Sequence, residues 1–257
     1  IRHKLKNRIP FWKESLYKIV LKKVDAYISI SETLRNYYSQ LVNKPSFILS
    51  GITDVSRFDK PEELEDGNRP PYLCYMGNME LAKDNVDNII RAFDLIKNKY
   101  PDLELHLYGA PSLQNRATIT SLINVLNLEN RVFLKGTVDF DQVPQLLAGA
   151  KVLVSSQPDT VRASGGFPTK LGEYLASGVP TLLTDVGENS KYVKDNVHVF
   201  FVEPNNYFSY AKRLEYILNN YPKANEIAQK GRQLIIDNFS SLTKGRELLF
   251  FFNQLSS

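Results

Sequence analysis

A single cysteine, Cys74, occurs in the 257 residues of the chain. No disulfide can form within it, which fits a reducing, cytoplasmic compartment. Histidine is nearly as scarce. His3, His106 and His198 lie far apart, so no His/Cys metal cluster is expected. Although 43% of the residues are apolar, enough for a core, no run approaches the roughly 18 apolar residues of a membrane-spanning helix. No signal-peptide pattern is read from Ile1 onward. Neither G-x-G-x-x-G nor G-x-x-x-x-G-K-[ST] is found, so the common dinucleotide and P-loop fingerprints are missing. The 14 Tyr and 14 Phe form no regular ladder for stacking on bases. The net charge of +4 comes with no nucleic-acid-binding motif, so no nucleic-acid partner is expected. That charge still permits an anionic ligand or membrane.

What the chain does have is centred on Ser164–Pro180, SGGFPTKLGEYLASGVP. It follows Val152-Leu153-Val154, an apolar run that reads as a buried parallel strand. Gly165 and Gly166 suit a tight turn, and Pro168 suits the first turn of a helix. Thr169 to Ala176 reads as that helix, ended by Gly178-Val179-Pro180. A strand, a glycine turn and a helix N-terminus present free backbone N–H groups and a positive dipole end to an anion. Lys170 adds a full charge there. Glu173 is one turn further in, where its carboxylate can accept from neutral hydroxyls. A phosphate site beside a carboxylate suits a nucleotide sugar, whose diphosphate needs donors and whose ribose needs an acceptor. On spacing alone, the same residues also read as a plain turn and a solvated helix glutamate.

Along the chain, residues 1–24 are basic, with Phe11, Trp12, Leu16, Ile19 and Val20 at helical spacing. Two readings stand: a helix lying on an anionic membrane, or a helix packing on a sheet with a solvated basic back. Val24–Ile30 and Ser46–Leu49 read as strands, with Ser31 capping a helix between them. Residues 60–70, rich in Glu, Asp and Pro, read as an exposed linker. From Tyr72 a regular alternation begins. Strands are expected at Tyr72–Met76, Leu103–Tyr108, Arg131–Leu134, Lys151–Ser155, Thr181–Leu183 and Val199–Val202. Helices are expected between them, and three more follow to Phe252. This predicts an α/β fold with a Rossmann-like doubly wound parallel sheet, whose ligands bind beyond the carboxyl ends of the strands.

PTKLGEYLASGVP resembles the C-terminal domain of retaining glycosyltransferases of family 4, which have the GT-B fold. The resemblance runs from about Val24 to Asn238. It implies that residues 1–57 are the C-terminal part of an acceptor-side Rossmann-like domain, 58–70 a linker, and 71–257 the nucleotide-sugar-binding domain with its C-terminal helices. Glu173 corresponds to the family's second glutamate, which binds the ribose hydroxyls, and Gly166-Phe167 to the Gly-Phe after the first. Gly165 stands where that first glutamate is expected, a departure at the donor hexose. The Pro-x-Lys-x-x-Glu-Tyr form is found among polysaccharide-building members. Lys83 matches the lysine on the donor diphosphate, and Asn78 stands where an arginine is expected. Arg162 is a candidate to supply the missing charge.

The resemblance thus implies Lys83 and Glu173 as catalytic residues. It implies donor contacts from Gly77, Asn78, Tyr108, Gly109, Thr137, Val138, Arg162, Gly165, Gly166, Phe167, Pro168, Thr169 and Lys170. No metal or cofactor is expected beyond the nucleoside diphosphate sugar, because helix amides and lysines take the diphosphate charge. The acceptor is expected to be a glycan or a lipid-linked acceptor, the protein is expected to be cytoplasmic, with residues 1–24 the candidate for a peripheral membrane contact, and the chain alone is expected to bind nucleotide without turnover. Two rivals are a sugar-nucleotide epimerase of the same fold and a non-catalytic sugar-nucleotide-binding module. Of the remaining candidates, His106 and Cys74 read as core residues, while Asp185 and Glu188 read as turn or capping residues.

Overall fold

A computed structural model describes residues 11–59, 69–160, 163 and 169–255. Its centre is a six-stranded, all-parallel sheet. The strands are β3 (Tyr72–Met76), β4 (Glu104–Tyr108), β5 (Val132–Gly136), β6 (Val152–Ser155), β7 (Thr181–Thr184) and β8 (Phe200–Val202). They lie side by side in the order β5-β4-β3-β6-β7-β8. The chain therefore builds outward from β3 to β5, returns to the middle, and builds outward again from β6 to β8. This is the doubly wound order, and the reversal between β3 and β6 opens a crevice at the carboxyl ends of those strands.

Both faces of the sheet are covered, so its strands read as short apolar runs and not as alternating ones. Leu73, Tyr75, Leu105, Leu107, Val152 and Val154 point to one face. There they meet Ile89 and Phe93 of helix Val86–Ile96, Ile119 and Ile123 of helix Leu113–Val125, and Leu214 of helix Tyr207–Asn219. Cys74, Leu153 and Leu183 point to the other face. They meet Leu171 and Leu175 of helix Thr169–Ala176 and Ile235 of helix Tyr221–Phe239. Adjacent strand residues serve opposite cores because the side-chain period of a strand is two.

The leading segment forms a smaller unit. Strands β1 (Tyr27–Ser29) and β2 (Ser46–Ile48) pair in parallel. Between them, helix Glu32–Ser39 is capped by the Ser31 hydroxyl, which accepts from Leu34 N at 3.2 Å. Helix Phe11–Lys22 precedes them, with Leu16, Ile19 and Val20 exposed. The last helix, Ser241–Leu255, comes back to this unit, where Phe251 stacks on Phe47 with ring centres 5.4 Å apart. Thr53 joins the two regions. Its N–H donates to Phe239 O at 2.9 Å and its C=O accepts from Ser241 N at 3.0 Å. Among the described residues, no helix is long and apolar enough to cross a membrane.

Sequence reading and structure agree on the six strands to within a residue or two. Of the linker read over 58–70, residues 60–68 lie outside the described residues, while Phe58 is buried in the second core. Three short elements escaped it: the single turn Val55–Phe58 and the four-residue helices Leu81–Asp84 and Asn189–Tyr192.

Candidate donor-binding site at the sheet crevice

The turns after β3, β4 and β5 nest on one another at the crevice. Gly77 N donates to Tyr108 O at 2.9 Å, and Gly109 N donates to Gly136 O at 2.7 Å. Gly109 has φ +133°, and a Cβ there would stand 1.8 Å from Gly77 O. Only glycine allows both that angle and that approach. Thr137 is exposed beyond β5, and Val138 is half-buried against the second core. The loop after β6 is pinned where it starts. Ser156, fully buried, accepts from Asn88 Nδ2 at 3.0 Å, and Gln157 N donates to Thr184 Oγ1 at 2.9 Å. Arg162, Gly165, Gly166, Phe167 and Pro168 lie outside the described residues, and Thr169 opens the helix that follows.

Lys170 is held beneath the first glycine turn. Its Nζ donates to Asp84 Oδ1 and to the Tyr75 hydroxyl, both at 2.7 Å. A Cβ on Gly77 would lie 2.6 Å from that ammonium. Asp84 is 1% exposed, and its other oxygen accepts from Glu80 N at 3.1 Å. Burial lowers the Lys170 pKa, Asp84 pulls it back up, and Lys83 lowers it again. Burial also pushes the Tyr75 hydroxyl up, and the neighbouring Asp84 carboxylate pushes the same way. The result is a cation fixed at the topological switch point, with its counter-charge behind it. Asn85, in the left-handed region at φ 48°, turns the chain from Asp84 into helix Val86–Ile96. Lys83 is half-buried and, with Asn78, Glu80 and Ala82, lines an open cavity of about 370 Å³.

Glu173 lies one turn along the helix from Lys170. Its Oε1 accepts from Arg57 Nη1 at 3.0 Å. The other arm of that guanidinium donates to Phe140 O at 2.5 Å, and its carbon lies 3.3 Å from the centre of the Phe140 ring. Tyr174, next in the helix, is buried, and its hydroxyl accepts from Met76 N at 2.8 Å. Burial pushes that hydroxyl well above its ordinary pKa, which keeps it a neutral strut between helix and β3. The helix therefore turns Leu171, Tyr174 and Leu175 into the core and leaves Lys170 and Glu173 toward the crevice side. The close fit extends to Gly172, where a Cβ would lie 2.1 Å from Thr53 Oγ1.

Neither Asp84 nor Arg57 was singled out from sequence. Asp84 sits in a polar stretch, LAKDN, that carries no burial signal. Arg57 meets its partner only through the fold. Glu188, read as a turn or capping residue, caps a helix of the leading segment. Its carboxylate accepts from Thr33 N at 2.8 Å, Thr33 Oγ1 at 2.5 Å, Glu32 N at 3.2 Å and Tyr192 Oη at 2.9 Å. His106 is buried beside the Tyr72 ring, centres 4.4 Å apart, with Nε2 2.6 Å from Glu104. Burial lowers its pKa, and Glu104 opposes that. Cys74 is fully buried, and burial pushes its thiol pKa up. Among the described residues, no group of three or more His, Cys, Asp or Glu is placed to hold a metal ion.

Comparison with known proteins agrees with this geometry. Poly(ribitol-phosphate) alpha-N-acetylglucosaminyltransferase of Staphylococcus aureus (strain COL) is 28% identical over 234 residues. The match covers 90% of this chain and 44% of that protein, so the chain spans less than half of that relative's length. Among solved structures, a glycosyltransferase from Rickettsia africae ESF-5 superposes with a TM-score of 0.79 at 18% identity, over 97% of this chain and 68% of that one. The Anabaena HepE protein, solved with UDP and glucose, superposes with a TM-score of 0.76 at 15% identity, over 94% of this chain and 67% of that one. At these identities the superpositions speak for the fold. A family model described as glycosyl transferases group 1 matches residues 56–234. The chain belongs to the glycosyl transferases group 1 family and carries the GT-B type of Rossmann-like sheet.

Proposed function

We propose that this chain is the donor-binding half of a retaining glycosyltransferase. It takes a sugar from a nucleoside diphosphate sugar and passes it to a glycan or lipid-linked acceptor in cell-surface polysaccharide synthesis. The observation that carries this reading is helix Thr169–Ala176. It starts at the switch-point crevice, with Lys170 fixed in its first turn and Glu173 one turn on. The positive end of this helix, with Lys170 and Lys83 nearby, takes the charge of a diphosphate without a metal. That charge grows on the leaving nucleoside diphosphate as the glycosidic bond breaks, so cations fixed in advance stabilise it at no reorganisation cost. Glu173 accepts from the ribose hydroxyls, and the backbone around Tyr108-Gly109 and Thr137-Val138 meets the base.

Two relatives support one choice of donor and acceptor. The Anabaena protein binds UDP, and the Staphylococcus relative is named for moving N-acetylglucosamine onto a polyol phosphate polymer. We therefore take the base to be uracil and the acceptor to be a cell-surface polymer. Calorimetric titration of UDP, GDP and ADP into this chain tests the reading. UDP is expected to bind, and Glu173→Ala to weaken it about tenfold, since ~1.4 kcal/mol is tenfold and each lost charge-assisted bond contributes about that much. If none of the three binds, the reading fails.

A further inference from the structure

We infer that Arg57 is a positioning residue of the nucleoside site, holding Glu173 in the orientation that receives the ribose diol. The inference rests on Glu173 being the ribose acceptor. Arg57 is itself well fixed. It belongs to the turn Val55–Phe58, which Asp54 caps by accepting from Ser56 N at 3.2 Å and from Ser56 Oγ at 2.6 Å. The next residue, Phe58, is 1% exposed in the second core, and its C=O accepts from Arg232 Nη1 at 3.3 Å. The guanidinium is then gripped on three sides by Glu173, the Phe140 carbonyl and the Phe140 ring. A planar fork held this way loses little freedom when it forms a hydrogen bond.

Glu173 alone lacks that rigidity, since its side chain is 37% exposed against 16% for Arg57. A half-exposed glutamate samples rotamers, and fixing it on ligand binding costs affinity. Arg57 fixes it beforehand by taking one lone pair of Oε1. The second lone pair and both lone pairs of Oε2 remain for two vicinal hydroxyls. Phe140, 65% exposed, has one ring face against Arg57. Arg57 thus links the carboxylate that reads the sugar of the nucleoside to an aromatic ring in the loop after β5. It does so from a segment that lies outside the sheet.

The test compares UDP with its 2′,3′-dideoxy analogue by calorimetry, in wild type, Arg57→Ala, Arg57→Lys, Glu173→Ala and the Arg57→Ala/Glu173→Ala double variant. Arg57→Ala is expected to weaken UDP about fivefold and to leave the dideoxy analogue unchanged. Arg57→Lys should recover part of the loss, because an ammonium reaches Glu173 but cannot hold Phe140 O as well. The double variant should bind UDP no more weakly than Glu173→Ala alone, because residues acting through one contact are not additive. A loss with Glu173→Ala and none with Arg57→Ala overturns the role of Arg57. So does an equal loss for both ligands, or an additive double variant. Unchanged UDP binding in Glu173→Ala instead overturns the ribose reading beneath it.

Discussion

Asp84, fully buried, pairs beneath Gly77 with Lys170, whose side chain is 21% exposed, and the Asp84 charge is tolerable there only because of that ammonium. Removing one partner of a buried ion pair typically costs about 3–5 kcal/mol, because the remaining charge is left without compensation. Asp84→Ala should therefore lower the unfolding free energy, read from a denaturant titration, by an amount in that range, and Asp84→Ala with Lys170→Met should recover much of it. If the single variant is as stable as wild type, the pair is not the closed unit seen here. The residues of the site differed in how far they could be read in advance. Lys170 and Glu173 stand in one contiguous stretch whose turn, proline and helix announce themselves. Asp84 and Arg57 do not, and of Glu188 only a capping role could be read, because each meets its partner far along the chain. An aspartate in LAKDN looks like any surface aspartate until helix Thr169–Ala176 brings a lysine to it.

At the scale of elements, the strands were legible because two-sided burial strips them of polar alternation and leaves brief apolar runs such as YLCYM and VLVS. Helix Tyr221–Phe239 carries Pro222 in its first turn, where a missing N–H costs nothing. Four-residue helices such as Leu81–Asp84 are too short to show a period at all. The packing of helix Thr169–Ala176 is similarly silent in sequence. Gly172 looks like a weak point in a helix, yet it is where the Thr53 side chain meets the helix axis. Gly172→Ala should raise helix propensity and still destabilise the protein, since overpacking typically costs about 1–3 kcal/mol. In a Thr53→Ala background the hydroxyl is gone, and the nearest Thr53 atom to the new methyl is its own Cβ at 3.5 Å, an ordinary contact. Urea unfolding of the two single variants and the double variant decides it. A Gly172→Ala penalty that persists without the hydroxyl would point elsewhere.

Across the whole molecule, Glu188 ties the leading unit to the six-stranded sheet through helix Glu32–Ser39. Burial acts to raise its pKa, but hydrogen bonds from the Thr33 side chain and backbone, from Tyr192 and from Glu32 N outweigh it, and the net direction is down. A carboxyl whose folded pKa is depressed contributes stability that is fully present above its unfolded value of 4.5 and is lost as pH falls through the folded value. Thermal melts below pH 4.5 should therefore steepen their decline through this residue, and Glu188→Gln should flatten that limb while lowering the melting temperature at neutral pH. A Gln variant with the wild-type pH profile would remove Glu188 from the coupling. The stacking of Phe251 on Phe47 bears on how the protein is made. In synthesis β1 and β2 leave the ribosome well before helix Ser241–Leu255, so the strands wait for the helix that returns to them. The central sheet has its own two cores and can close in the meantime. For that interval Phe47 still lacks its stacking partner, which leaves an aromatic ring of the leading unit open to wrong contacts.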